Sequence, residues 1–416
     1  MRKHVRLKQC AVMVILAAGA MLQLAFHKPP EKGAPVAFKH SFIDTTLPLK
    51  ENGIGDYGST ALVDIDHDGK LDFVLGGRQT NTLYWYQYQA PNRWVQHIVG
   101  KSYLADVGLT ALDVDGDGWV DLVGSGVWYR NTGKPRTEEF ERIMFDTAGA
   151  GAHDIVNIDM DGDGKKDIVM MGDVRTQLKG IYWYSIPKDA RQPWVKHYIG
   201  ESIHGAIEPA GVGDVNGDGY PDVVRADTWF ENKGGTGTQW IAHKNIPMGK
   251  QGPFGFCVRA AIADMDNNGK NVIVMCDADV VDSKMVILRS PDGKGESWVK
   301  QALPQSFTYG SLHALAVADL NGDGLLDIIA NEQEELLPEG RKNPRWIAWI
   351  NQGNQQYKET ILLDAELGGH ELQVGDVDGD GDIDICSKAW GTQPWNALGG
   401  KMHVDFLENM AIQKKK

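Results

Sequence analysis

"HELQVGDVDGDGDID", His370 to Asp384, sets six acidic residues and three glycines behind a short alternating run. Its last nine residues recur along the chain: "DIDHDGKLD" at Asp64, "DVDGDGWVD" at Asp113, "DMDGDGKKD" at Asp159, "DVNGDGYPD" at Asp214, "DMDNNGKNV" at Asp264, "DLNGDGLLD" at Asp319 and "DVDGDGDID" at Asp376. The starts lie 46 to 57 residues apart, a period that belongs to propeller or solenoid arrays. Each copy follows an alternating run such as "SLHALAVA" and precedes an apolar one such as "LDIIA", both strand-like. An aromatic strand comes next ("LYWYQ", "VWYRN", "IYWYS", "TWFEN", "WIAWIN", "VDFLEN"), then a fourth ("RWVQHIV", "FERIMFD", "PWVKHYI", "QWIAHKNI", "SWVKQAL", "YKETILL"). Four strands per repeat make a propeller blade, so the expected fold is all-β, a seven-bladed propeller with almost no helix.

The chain ends carry an independent check. Repeat seven stops after its third strand, "VDFLENM", while "FKHSFID", Phe38 to Asp44, has the fourth-strand pattern ahead of the first loop. That segment can complete the last blade and close the ring, removing open sheet edges. The expected organisation is residues 1–30 as signal peptide or N-terminal anchor, 37–410 as the propeller and 411–416 as a disordered basic tail. The leader reading rests on a basic start (Arg2, Lys3, Arg6, Lys8) before the apolar run Ala11 to Phe26. That run is shorter than the roughly 20 residues that span a bilayer. An exported protein is expected, periplasmic, secreted or at the cell surface, with no membrane span in the mature chain.

Formal charge is −14, which argues against nucleic acid, whose phosphates need a basic face. Beyond the leader stand three cysteines, Cys257, Cys276 and Cys386. They read as buried strand thiols, with a Cys257–Cys276 bridge as the alternative.

Asp at positions 1, 3, 5 and 9, as in the last loop, with a backbone carbonyl at 7, converges oxygens as a hard cation wants them. One copy would pass for a solvated Asp-Gly turn; seven in phase point to calcium. Position 12 of the last loop is Ser387 and strands flank it, so it is not an EF-hand. Over the seven loops these positions hold 24 of the 56 acidic residues, so much of the acidity is ligand charge, and seven calcium ions would offset the formal −14. The fifth loop, with Asn268 at position 5 and Val272 at position 9, is expected weak or empty.

On these loops the chain resembles the FG-GAP/VCBS repeat family, typified by the integrin alpha-subunit propellers, over roughly residues 37 to 410. The resemblance implies structural calcium, up to seven ions. The implied ligands in repeat one are Asp64, Asp66, Asp68 and Asp72. At matching positions stand Asp113, Asp115, Asp117 and Asp121; Asp159, Asp161, Asp163 and Asp167; and Asp214, Asn216, Asp218 and Asp222. The series ends with Asp264, Asp266 and Asn268; Asp319, Asn321, Asp323 and Asp327; and Asp376, Asp378, Asp380 and Asp384. It does not imply an activity, because such propellers serve as adhesion modules, sugar binders and enzymes.

All seven loops join first to second strands, so they share one face. The starts of the first strands lie about six residues away, roughly 20 Å, too far for calcium to act there. Six residues before each loop stand Gly58, Val107, His153, Glu208, Val258, His313 and His370. Three histidines and a glutamate where apolar packing is expected, with Arg259 one residue on and Asp56, Asp106 and His204 slightly earlier, mark a polar cluster at the channel mouth. The second strands end on that face at Arg78, Asp173, Arg225, Asp277, Glu332 and Lys388. Two long connections, "NEQEELLPEGRKNPR" and "SKAWGTQPWNALGGK", sit there too and offer Trp390 or Trp395 to stack on a sugar ring.

Imidazole can ligate a transition metal or move protons near pH 7; the plainer reading is strand capping or bound channel water. For His97, His197 and His243, on fourth strands, the plain reading is packing, as for the Trp and Tyr stripes. The expected function is action on carbohydrate or an oxidised sugar by a lyase or dehydratase type elimination. His153, His204, His313, His370, Arg259 and Glu208 are the catalytic candidates, with Arg259 neutralising the developing enolate. Asp106, Arg78, Arg225, Glu332, Lys388 and Trp390 are the substrate-binding candidates. The histidine-before-loop pattern is also similar to that of the propeller domain in aldos-2-ulose dehydratase. Two alternatives stand beside it: a non-catalytic calcium-stabilised carbohydrate-binding or adhesion module, and a partner-binding scaffold. The oligomeric state is not encoded legibly.

Overall fold

In a computed structural model the described residues are 33, 35–48, 57–77, 82–102, 107–149, 151–173 and 178–411. They form seven principal sheets of antiparallel strands, and no helix appears among them. The innermost strands are Tyr57–Val63, Thr110–Leu112, Ala152–Ile158, Val212–Gly213, Val258–Ala263, Leu312–Ala318 and Glu371–Gly375. From blade four round to blade three these inner strands contact their neighbours, and blade seven's meets blade one's. Phe38–Asp44 pairs antiparallel with Val404–Asn409 as the outer strand of blade seven, so the ring closes as the sequence foretold. Residues 1–30 and the tail beyond 411 lie outside the described residues. Among the described residues no helix is long and apolar enough to cross a membrane.

The blades hold together through their broad faces. One core cluster joins Met171 and Trp183 of blade three, Val223 and Phe230 of blade four, and Met275 and Val286 of blade five. Trp85, Trp128, Trp183, Trp229, Trp346 and Trp349 are fully buried; large aromatic surfaces dominate such interfaces. The third-strand tryptophans also meet the outer histidines. Trp85 stacks on His97 at 4.3 Å, Trp183 on His197 at 4.0 Å and Trp229 on His243 at 4.2 Å, so those three histidines are packing residues. Cys257, Cys276 and Cys386 are free and buried, which removes the Cys257–Cys276 bridge.

Polar staples reinforce the apolar contacts. Asn131, Asn232, Asn351 and Asn409 each follow the aromatic core of a third strand. Each backbone N–H donates to the position-nine aspartate of its own blade, at 2.7 to 2.9 Å. Each side-chain amide donates to a carbonyl of the preceding blade's loop: Ile65, Met160, Met265 and Leu320 respectively, at 2.8 to 3.1 Å. One residue type therefore ties loop, third strand and neighbouring blade.

Blade four departs from the repeat. Its regular inner strand is only Val212–Gly213, because the segment before it leaves to run parallel along blade five's inner strand. Val258 N–H donates to the Gly205 carbonyl at 3.0 Å and Ala260 N–H to Glu208's at 3.0 Å. Pro209 has no N–H to contribute to a ladder, so this stretch can only accept at that point. Blade five departs too: its third strand, Met285–Arg289, is aliphatic, which is why no aromatic signature marked it.

Candidate functional site

The acidic loops are built alike. Positions four and six of every loop are left-handed, from His67 (φ 59°) and Gly69 (φ 83°) in the first to Gly379 (φ 73°) and Gly381 (φ 99°) in the last, a conformation that favours glycine. This turns successive N–H groups onto the first aspartate: Asp68 N–H and Gly69 N–H donate to the two oxygens of Asp64 at 3.1 and 3.0 Å. Oxygens of Asp64, Asp66 and Asp72 then lie within 4.8 Å of one another, as do those of Asp113, Asp115 and Asp121. Position nine is the most buried. Asp72 accepts Ile65 N–H at 3.0 Å and, across the sheet, Tyr88 N–H at 3.1 Å. Burial first, with neighbouring carboxylates adding, pushes the carboxyls of Asp72 and Asp384 up to about 8. Burial likewise pushes those of Asp121, Asp167, Asp222 and Asp327 up to about 7. A hard divalent cation would relieve that strain, and this all-oxygen donor set suits one.

Inward of the acidic loops the ring encloses a channel of about 280 Å³, walled by residues such as Thr60, Thr110, Asn157 and Gln373 and ending, away from the loops, at Glu208, Arg259 and Glu371. Arg259 is 1% exposed, and all its nitrogens are engaged. Nε donates to the His313 carbonyl at 2.8 Å, Nη1 to Glu208 at 3.1 Å and Asp154 at 3.5 Å, and Nη2 faces Glu371 and, at 3.3 Å, His313 Nδ1. A guanidinium with Nε and Nη1 spent on the protein and Nη2 turned to Glu371 has little left to offer the enolate expected for it, and Arg259 plugs the channel amid the residues it binds. The three carboxyls respond differently to this shared cation. Burial and the neighbouring carboxylates push Glu208 well up, and burial also raises Glu371. For Asp154, burial is outweighed by His153 and Arg259, which hold it below the usual carboxylate range.

Beyond the plug the histidines form an arc. His153 and His204 rings meet edge-on at 4.6 Å, while His313 stacks on His370 at 3.6 Å and His370 on Trp390 at 4.6 Å. Asp279 lies between the halves, 3.3 Å from His204 Nε2 and 3.7 Å from His313 Nε2. Burial disfavours the charge on His204, but its hydrogen bond to Asp173 (2.9 Å) and the nearby Asp279 carboxylate outweigh it and hold the imidazole up at about 9. His370 goes the other way: burial, then His313, Lys388 and Arg259, push it well below its usual value. His313 is lowered as well, by burial and Arg259 against the opposing Asp279. The arc therefore holds one imidazole charged and another neutral at pH 7.

Two donor sets run through Cys257: His153, His204 and Cys257, and Cys257, Asp279 and His313. Nitrogen, sulfur and a carboxylate suit a borderline cation of the zinc class, and Asp279 Oδ2 is buried without a hydrogen bond. A third set, His313, His370 and Glu371, fits a metal poorly. Lys388 Nζ already sits 3.2 Å from His370 Nδ1 and Arg259 faces Glu371.

Of the other expected residues, Lys388 and Trp390 join the arc. Glu332 is fully buried and holds Gly310 N–H, Arg345 N–H and Arg341; it is an anchor for the long loop of blade six. Arg225 bonds the Glu201 carbonyl at 2.9 Å and Asp227 at 2.9 Å, between the outer parts of blades three and four. Asp277 accepts Lys250 N–H at 2.8 Å. Arg78, Asp56 and Asp106 lie outside the described residues. The two long loops do meet, Gly391 N–H donating to Glu334 at 2.7 Å.

Sequence reasoning missed Asp154, Glu371, Asp279 and Cys257. Asp154 follows His153, and strict alternation would turn one of them away. A register break between Ala152 and Asp154 leaves His153 unpaired, and another leaves His313 so; bulges of this kind re-aim side chains. Reading two adjacent positions in every repeat would have found Asp154 and Glu371 with Arg259.

The chain carries FG-GAP-like repeats: the family model so described matches residues 64–124, 159–225 and 264–330. Each match begins at the first aspartate of an odd-numbered loop and runs through the next, so six of the seven loops are included. Among solved structures, the chain is similar to "YCF48 from Cyanidioschyzon merolae" at 10% identity and a TM-score of 0.47, covering 89% of this chain and 98% of that one. No curated protein matches the sequence.

Proposed function

We propose that this is an exported, calcium-stabilised propeller whose histidine arc acts on a carbohydrate or oxidised sugar by elimination. The observation that carries the reading is the pair of imidazoles poised in opposite states, His370 neutral and His204 charged at about 9. Environments that drive two titratable groups apart assign base and acid. His370 removes the proton from the carbon next to a carbonyl or carboxylate. The C–H electron pair becomes the carbon–carbon double bond, and the oxygen on the next carbon departs with its bonding pair and takes a proton from His204. Trp390, stacked on His370, offers a face for the sugar ring. A zinc-class cation on Cys257, Asp279 and His313 would supply a Lewis acid for the carbonyl, with Asp173 left to partner the charge on His204. The basic and apolar N-terminal run supports export, and the formal charge of −14 speaks against nucleic acid as a partner.

The test is to screen the purified protein, with its native metal retained, against oxidised sugars and uronate-containing glycans, following the ultraviolet absorbance of an unsaturated product. Turnover lost in His370→Ala and His204→Ala supports the reading; no product from any such substrate overturns it. One observation favours a second reading, a carbohydrate-binding or adhesion module: the network around Arg259 satisfies itself without a ligand. In that case glycan binding survives both substitutions and no product forms.

A further inference from the structure

The seven acidic loops differ at one position that lies outside them. In each blade the third strand places one residue opposite loop position nine. Phe73 pairs with Tyr86, Leu122 with Tyr129 and Ile273 with Leu288, so the next residues opposite Asp72, Asp121 and Val272 are Gln87, Arg130 and Arg289. The same step gives Ser185 in blade three and Ile350 in blade six.

Where this residue is arginine, it lies on the loop's own carboxylates. Arg130 Nε reaches Asp115 Oδ2 and Nη2 reaches Asp117 Oδ2, each at 2.5 Å. Arg289 grips Asp266 with two nitrogens, at 2.8 and 3.0 Å. Both side chains are largely buried, 24% and 14% exposed. Gln87, at the same place in blade one, donates a neutral N–H to Asp66 at 2.8 Å. Arg136 also touches Asp66, at 2.6 Å, but it is half exposed and comes from an outer loop of blade two, so it can swing away into water.

Resting on the calcium reading above, we propose that loops two and five are closed by the guanidinium of their own third strand instead of by calcium, which leaves at most five calcium sites. A calcium ion needs six to eight oxygens. In loop two the guanidinium takes an oxygen from each of positions three and five and fixes a positive charge beside the cation's place, where like charges repel. In loop five, Asn268 and Val272 remove two further carboxylates. The arginine thus does within the chain what the ion does elsewhere: it offsets part of the loop's negative charge and ties the loop to the third strand.

The experiment counts calcium bound per full-length chain, by equilibrium dialysis and by native mass spectrometry, for the wild type, R130Q and R289Q. R130Q carries the residue of blade one at that place; Arg130→Ser, the residue of blade three, serves if R130Q is poorly folded. The expected result is at most five ions in the wild type, one more in R130Q, and no gain in R289Q. R130Q binding no more than the wild type, or a wild type that binds six or seven, overturns the assignment while leaving the calcium reading intact. Binding of no calcium by any of the proteins overturns the calcium reading itself, and the assignment with it.

Discussion

Asn351 offers the sharpest test of how neighbouring blades are joined. Its side chain is 1% exposed. Nδ2 donates to the Met265 carbonyl of blade five at 2.8 Å and to the Leu326 carbonyl at 3.2 Å, while Oδ1 accepts Gly353 N–H at 3.0 Å. Asn351→Leu keeps the volume close to constant and leaves the backbone N–H on Asp327 in place. It strips the donor from both carbonyls, and each buried polar group left unpaired costs about 1–3 kcal/mol. Gly353 can turn to solvent, so the total comes from two groups, about 2–6 kcal/mol. Asn351→Asp separates donor from shape: it retains the acceptor for Gly353 N–H but points a carboxylate at two carbonyls, and is expected to cost at least as much as leucine. The assay is urea unfolding followed by tryptophan fluorescence at one fixed calcium concentration. Stability within about 0.5 kcal/mol of the wild type, the range of an ordinary surface substitution, would refute the staple and leave aromatic packing as the whole of the interface.

Two other outcomes follow from the same geometry. A chelator at neutral pH is expected to lower the melting temperature, since a ligand present at about 100 times its Kd stabilises by about 2.7 kcal/mol per site; an unchanged melting curve would remove the structural role of calcium. At the ring's seam, Asp405 joins the two chain ends, bonded to His40 Nε2 at 2.8 Å and His403 Nδ1 at 2.6 Å. Burial opposes both charges, but the pairing raises His403 and lowers Asp405. The His403 contribution is complete below its unfolded value of about 6.5 and is lost as pH rises through the elevated folded value. The Asp405 contribution is present above about 3.9 and fades as pH falls through the depressed one. The wild type should therefore lose more stability than Asp405→Asn between pH 6 and pH 9; parallel losses would show that the seam does not sense pH.

The fold was legible because its determinants are local and repeated. The loop "DVDGDGDID" carries its turn geometry in its own glycines, and left-handed positions four and six recur in all seven copies. Ring closure was legible from a pattern out of place, "FKHSFID" ahead of the first loop. His153, His313 and His370 could be found by counting back from the loops, since strand spacing is regular over six residues. Their chemical state could not. The Asp154 beside His153 turns into the site through a break in register. The Asp279 that partners His204 lies 75 residues further on in the chain and meets it only because the segment leading into blade four runs along blade five.

His370 illustrates both sides of that boundary. The sequence alone determined that it stands at the far end of a strand from an acidic loop, because period and alternation are properties of adjacent residues. Only the tertiary structure decided that its imidazole stays neutral, pressed on His313 and Trp390 beside Lys388. It likewise decided that Arg259, the cation expected to meet a substrate, is spent on Glu208, Glu371, Asp154 and His313. Charge, burial and free valence at a site are set by what comes near from other blades, and such proximity is not a function of position along the chain.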